Sequence, residues 1–105
     1  MPLTKSQERR IQEVIRKVHE RRLAESLAPM EEAIRLWREG LATVFQIDGA
    51  IHQHTLRSKR YFALYANTPA TSPVAVGILQ EAVDLGMITE EEYRRLTNAQ
   101  LRRRN

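Results

Sequence analysis

The C-terminal third of the chain constrains the fold most, because it contains the start and stop signals of two consecutive helices. Ser72 followed by Pro73 indicates a helix N-terminus, since serine can cap free amides and a first-turn proline needs no donor. Gly86 fits the left-handed residue just past a helix end. Thr89 and Glu92 form a T-x-x-E capping box that opens the next helix. Residues 73–101 are therefore predicted to form a helix–Gly–turn–helix hairpin.

A long N-terminal helix is predicted over about residues 5–24. Thr4 and Gln7 provide a capping pair at its start. One stripe of apolar residues follows at helical spacing, namely Ile11, Val14, Ile15, Val18 and Leu23. Because a single narrow stripe cannot stabilise an isolated helix, this helix needs a packing partner in the same chain or in a second copy.

A separate core helix is predicted over about residues 29–47, because Pro29 is tolerated only in a first helical turn. Its apolar residues recur in steps of three and four, which gives a heptad-like seam: Leu27, Met30, Ile34, Trp37, Leu41 and Val44. Four of them are the candidates for pairing with another protein: Leu27, Ile34, Trp37 and Leu41. The alternative interpretation is that they form a purely intramolecular core.

Residues 48–66 allow two interpretations. Asp48–Gly49 between two apolar segments is a strong β-turn signal and predicts an antiparallel hairpin at about residues 43–55. In the competing interpretation Gly49 ends the core helix and a third helix follows. Its apolar face would be formed by Ile51, Thr55, Ser58, Phe62 and Tyr65. We favour the helical interpretation because the strand alternation is poor, and we predict a loop at residues 67–72.

These elements predict a mainly α fold, a single small helical domain (residues 1–105) of about five helices. An α+β domain containing the hairpin at 43–55 is the alternative. With 105 residues and 42% hydrophobic content, one modest core is feasible. The absence of cysteine excludes disulfides and thiolate metal sites. No apolar stretch approaches the roughly 20 residues that span a bilayer, so we expect a cytoplasmic protein without membrane contact.

The basic residues are unevenly distributed in a chain of net charge +4. They concentrate in two clusters, and such clusters are typical of surfaces that bind nucleic acid or acidic proteins. The candidates for nucleic-acid contact are Arg57, Lys59 and Arg60 in the middle of the chain and Arg102, Arg103 and Arg104 at its end.

The sequence offers little to support catalysis. His52 and His54, with His19, could form a metal site only if the first two lay on a strand, because on a helix they diverge by about 200°. The run Glu90, Glu91 and Glu92 is explained by the favourable interaction of negative charge with a helix N-terminus. No phosphate-binding loop, nucleophile elbow or zinc-protease motif occurs. We therefore predict no enzyme activity, no cofactor and no metal.

The segment EAVDLGMITEEEYRRL resembles the short C-terminal helical hairpins of the SHOCT-like type and is also similar to small XkdX-like phage proteins. The matching residues are Gly86, Ile88, Thr89, Glu92, Tyr93 and Leu96. The resemblance covers only about residues 74–101. The first family implies a role in oligomerisation or interaction, and the second implies a phage context.

The sequence thus predicts a small non-enzymatic interaction protein, a regulator or adaptor of phage or mobile-element origin. It would act by helix-mediated self-association, for example as a homodimer, or by docking onto a larger macromolecule. The alternative is a nucleic-acid-binding regulator that uses the basic clusters at residues 57–60 and 102–104.

Overall fold

The computed structural model describes residues 3–104, with side chains as far as Asn98. The described residues form α-helices and no strands, which confirms the mainly α fold. Four α-helices are present instead of the five predicted: α1 (Lys5–Arg38), α2 (Val44–Tyr61), α3 (Pro73–Asp84) and α4 (Glu90–Arg104). A π-helical turn, Phe62–Ala66, extends the end of α2.

Helix α1 continues through Pro29, so the predicted break between residues 24 and 29 is wrong. The N-terminal capping box is confirmed: the Gln7 amide donates to Thr4 Oγ1 (3.1 Å) and the Thr4 amide donates to Gln7 Oε1 (2.9 Å). Pro29 cannot donate to the carbonyl of Glu25, yet the residues on both sides remain helical. The proline therefore costs one hydrogen bond without ending the helix.

Helix α1 ends at Arg38 and Gly40 lies in the turn that follows, so the predicted core helix at residues 29–47 does not exist as a unit. Gly40 has a φ of 76°, the left-handed conformation that favours glycine. Its amide donates to the Trp37 carbonyl (3.0 Å), and the Leu41 amide donates to the Leu36 carbonyl (2.8 Å). These two bonds form a Schellman cap. Leu41 therefore lies in the turn after the helix, and Val44 belongs to the next one.

Residues 44–61 form helix α2, which excludes the β-hairpin alternative at 43–55. The Gln46 amide donates to Thr43 Oγ1 (3.3 Å) and the Thr43 amide donates to Gln46 Oε1 (2.8 Å). This reciprocal capping box fixes the start of α2, and Asp48 and Gly49 follow inside its first two turns. Gly49 does not end a helix, contrary to the prediction.

The C-terminal hairpin has the predicted architecture. Ser72 Oγ accepts a hydrogen bond from the Val74 amide (3.1 Å), and Gly86 (φ 74°) closes a second Schellman cap after α3. Thr89 Oγ1 accepts from the Glu92 amide (3.1 Å) at the start of α4. The Glu92 carboxylate accepts two hydrogen bonds from the Arg10 guanidinium (2.8 and 2.9 Å). This residue therefore ties α4 to α1.

The hydrophobic core lies at one end of the molecule, where the N-terminal half of α1 packs on α3 and α4. Four residues of the predicted α1 stripe are fully buried there, whereas the fifth, Leu23, is half-buried. The core residues are Leu3, Ile11, Val14, Ile15, Val18, Tyr65, Ala70, Ala75, Ile78, Leu79, Ala82, Ile88 and Leu96.

The C-terminal half of α1 extends beyond this core and pairs with α2. The molecule measures 60 × 23 × 17 Å and has a radius of gyration of 17.9 Å. A compact chain of this length would have a radius of gyration of about 13 Å. The structure is thus a small three-helix core from which a two-helix hairpin projects.

Candidate interaction surface

The projecting α1–α2 hairpin has almost no core of its own. No residue of α2 is buried, and Ser26 is the only buried residue of α1 beyond Val18. Large apolar side chains are nevertheless exposed along the hairpin, among them Phe45 (82%) and Leu41 (70%) at its tip. A two-helix hairpin has no third layer to cover such residues, so they stay in contact with water.

One side of the hairpin gathers several of these residues. The half-buried Ile47, His54 and Tyr61 mark the side of α2 that faces α1. At about 100° per residue, Val44, Ile51 and Phe62 are displaced from that side in a common direction. In α1, Leu27 and Ile34 are displaced from the α2-facing side toward the same side of the hairpin. This side is opposite the one on which α3 packs against α1. We call this set, together with Trp37, the apolar flank: Leu27, Ile34, Trp37, Val44, Ile51 and Phe62.

The interaction candidates from the sequence fall partly on this flank. Leu27 is 44% exposed and Trp37 46%, and Ile34 is half-buried; all three lie on α1. Leu41 lies in the turn, off both helices, so the predicted seam of four is interrupted at Gly40. Ile51 and Phe62 of α2 were predicted to share one helical face, but neither was predicted to be an interaction candidate.

A polar cluster fixes how the two helices of the hairpin align. The Ser26 hydroxyl lies 2.8 Å from His54 Nδ1 and accepts a hydrogen bond from Arg57 Nε (2.9 Å). Because Arg57 occupies a lone pair of the Ser26 oxygen, the hydroxyl hydrogen is available to the imidazole. Ser26 is only 4% exposed, enclosed between the helices, which argues against a role as a nucleophile. The cluster sets the register of the hairpin.

A second network joins the base of the hairpin to α3. Glu81 accepts hydrogen bonds from the Tyr65 hydroxyl (2.9 and 3.0 Å) and from Arg22 Nε (2.7 Å). His19 stacks on the Tyr65 ring with centroids 5.4 Å apart. Burial, reinforced by the hydrogen bond to Glu81, raises the pKa of Tyr65 to about 12. The hydrogen bond to Glu81 also raises the pKa of Arg22.

Alkaline pH is expected to destabilise the fold through Tyr65. In the unfolded chain the pKa of tyrosine is about 10. Because the folded-state pKa is raised to about 12, the neutral phenol is favoured in the fold, and its stabilising contribution is present below pH 10 and lost between about 10 and 12. Urea unfolding at pH 9 and pH 11 measures this loss. The Tyr65→Phe variant should be less stable than the wild type at pH 9, but its free energy of unfolding should fall less between pH 9 and pH 11. An equal fall in both proteins would contradict the role assigned to Tyr65.

Of the basic candidates, the three at residues 57–60 have described side chains. Arg57 points inward to Ser26, where it also donates to the Ser26 carbonyl (3.4 Å), whereas Lys59 and Arg60 are exposed. The side chains of Arg102, Arg103 and Arg104 lie outside the described residues.

An open groove of about 480 Å³ lies beside the base of the hairpin. The residues that line it are Arg9, Gln12, Glu13, Ile15, Arg16, His19, Tyr65 and Ala66.

The histidines are separated in the structure. His54 faces Ser26, His52 is exposed two residues earlier on α2, and His19 stacks on Tyr65. Among the described side chains, no three histidine or carboxylate groups come together as a metal site requires. Within residues 3–104, no helix combines the length and apolar composition needed to cross a bilayer.

Comparison with known protein families, with curated proteins and with solved structures gives no match to this chain.

Proposed function

We propose that this protein is a small non-enzymatic interaction protein, a regulator or adaptor that docks through the apolar flank of its α1–α2 hairpin in the cytoplasm. The observation that carries the proposal is the exposure of large apolar side chains along a hairpin whose only buried residue beyond Val18 is Ser26. Contiguous exposed apolar surface of this kind is typical of sites that bind other proteins.

The energetics favour covering the flank. Complete burial of a leucine, isoleucine or phenylalanine side chain is worth about 1.5–3 kcal/mol. Leu27, Ile51 and Phe62 are 44%, 43% and 58% exposed, so each keeps a substantial part of that free energy unrealised. The Ser26–His54–Arg57 cluster holds both helices in one register, which limits the ordering cost that a partner must overcome.

The nucleic-acid alternative has weaker support in the described residues. Of the cluster at 57–60, Arg57 is engaged inside the hairpin, which leaves Lys59 and Arg60 for phosphates. Two cations give a shallow dependence of affinity on salt, about two units of log K per unit of log[salt]. A steep salt dependence of binding to DNA or RNA would favour this alternative over protein docking.

Photo-crosslinking in cells of the source organism tests the docking proposal. A photoreactive phenylalanine analogue at Phe62, and in a second protein at Ile51, is expected to give covalent protein adducts. The matched control places the same analogue at Asn98, an exposed position on α4 and outside the hairpin. Adducts at the flank positions that exceed those at residue 98 support the proposal. Equal yields at all three positions would overturn it.

A further inference from the structure

The chain exposes more surface than a compact protein of its size. Its accessible surface is 7184 Å² for a mass of 12.2 kDa. The scaling of surface with mass gives about 6,100 Å² for a compact monomer, so the excess is about 1,100 Å². A standard stable protein interface buries about 800 Å² on each partner. The excess of the whole chain is therefore larger than the surface that one partner contributes to such an interface.

A second copy of the same chain would cover this surface in a familiar way. A two-helix hairpin exposes one apolar flank, and two such flanks packed face to face make a four-helix bundle with a central core. Two-fold symmetry brings the same flank from both copies together, so apolar side chains meet apolar side chains throughout. No segment of the described chain reaches over the flank to compete.

Charge along the hairpin indicates how the two copies are oriented. The tip, residues 31–48, contains four acidic side chains (Glu31, Glu32, Glu39 and Asp48) and two basic ones (Arg35 and Arg38); Arg35 is paired with Glu32 and Glu39, and the net charge of the tip is −2. At the base of α2, residues 57–60 include no acidic side chain; Lys59 and Arg60 are exposed, whereas Arg57 is engaged with Ser26. An antiparallel arrangement sets each acidic tip beside the basic base of the other copy. A tip-to-tip arrangement would place like charges together, which disfavours that orientation.

The groove beside the base extends this complementarity. Arg9 and Arg16 line it together with His19. Glu13, also at the groove, is paired with Lys17 Nζ (3.2 Å) and Arg10 (3.5 Å), so its charge is compensated. An acidic tip that passes the end of α2 would therefore meet further positive charge.

We propose that the occupant of the apolar flank is a second copy of this chain, and that the two hairpins form an antiparallel four-helix bundle. This inference rests on the proposed docking function and names its partner. In the dimer, α2 crosses α2 of the other copy near Gln53, so that Ile51 lies level with Thr55 of the partner and Val44 at the tip lies level with Phe62 at the base of the partner. Affinity comes from the flank, and orientation from the charges at tip and base.

Sedimentation equilibrium of the purified full chain tests the association. The wild type is expected to be dimeric, and Ile51→Glu and Leu27→Glu should each weaken dimerisation at least about 100-fold, because symmetry introduces two unpaired charges into the interface. Val74→Glu is the matched control, since Val74 is equally exposed (47%) but lies on α3. Circular dichroism verifies that each variant is helical. A monomeric wild type, or an equal effect of Val74→Glu, overturns the inference.

Disulfide formation tests the orientation, because the chain has no cysteine of its own. An equimolar mixture of Ile51→Cys and Thr55→Cys, and one of Val44→Cys and Phe62→Cys, should each give the mixed dimer. Asn98→Cys on α4 is the control and should remain reduced. If Val44→Cys links instead to Trp37→Cys of a separate chain, the hairpins are tip to tip and the antiparallel bundle is wrong.

The two proposals fail in distinguishable ways. A monomeric chain whose flank crosslinks to a different protein in cells overturns the homodimer and leaves the docking function supported. A chain that neither dimerises nor crosslinks through the flank overturns both. Flank adducts of twice the chain mass in cells, together with the antiparallel disulfides, support both.

Discussion

Replacing Leu79 with alanine is expected to lower the free energy of unfolding by about 2–5 kcal/mol. Leu79 has no exposed surface and lies on α3 where that helix packs against the N-terminal half of α1. The substitution removes buried methyl groups and leaves a cavity that the surrounding helices fill only in part. The total stability of a small domain is about 5–15 kcal/mol, so the loss is a large fraction of it.

Urea unfolding followed by circular dichroism measures this change. Val74→Ala is the matched control because Val74 is on the same helix but 47% exposed, and it should change the free energy of unfolding by less than about 0.5 kcal/mol. A similar loss in both variants would contradict the core-packing explanation, because alanine has the highest helix propensity and does not by itself destabilise α3.

Replacing Pro29 with alanine is expected to raise the free energy of unfolding by about 2 kcal/mol. Proline in a helix interior is about 3 kcal/mol less favourable than alanine, and the more flexible unfolded chain of the variant offsets about 0.4–1 kcal/mol of the gain. The alanine amide can donate to the Glu25 carbonyl, which Pro29 cannot do. Thermal unfolding followed by circular dichroism reads out the stabilisation.

Pro69→Ala is the control for the proline effect, since Pro69 is exposed in the loop at residues 67–72. That variant gains no helical hydrogen bond and should lose up to about 1 kcal/mol through the unfolded state. If Pro29→Ala is also destabilised, the local shape that proline gives to α1 is needed for its pairing with α2.

Local signals in the sequence were enough to predict much of the helical structure. Ser72, Gly86 and Thr89 each act within a few residues, so the C-terminal hairpin follows from the sequence without knowledge of the tertiary fold. The same Schellman signal is present at Gly40, but the apolar recurrence from Leu27 to Val44 runs across that glycine and favours a continuous helix. Periodicity and capping conflicted there, and capping determined the helix end.

The continuity of α1 could not be predicted from local rules. Proline has the lowest helix propensity, yet α1 continues through Pro29. The packing of α2 against α1, before and after the proline in sequence, stabilises the continuous helix. The Ser26–His54–Arg57 cluster joins residues about thirty positions apart in sequence, and no spacing rule links them. The α1 half of the apolar flank was predicted, whereas the α2 half required the antiparallel pairing of the two helices.

The placement of the core at one end implies a gradient of local stability along the molecule. Amide protons of residues 11–18 should exchange with solvent only through global unfolding, because their helix is sealed in the core. Amide protons of α2, which has no buried residue, should exchange through smaller opening events. Slower deuterium uptake in α2 at high protein concentration would then show which residues of the apolar flank are covered by a partner.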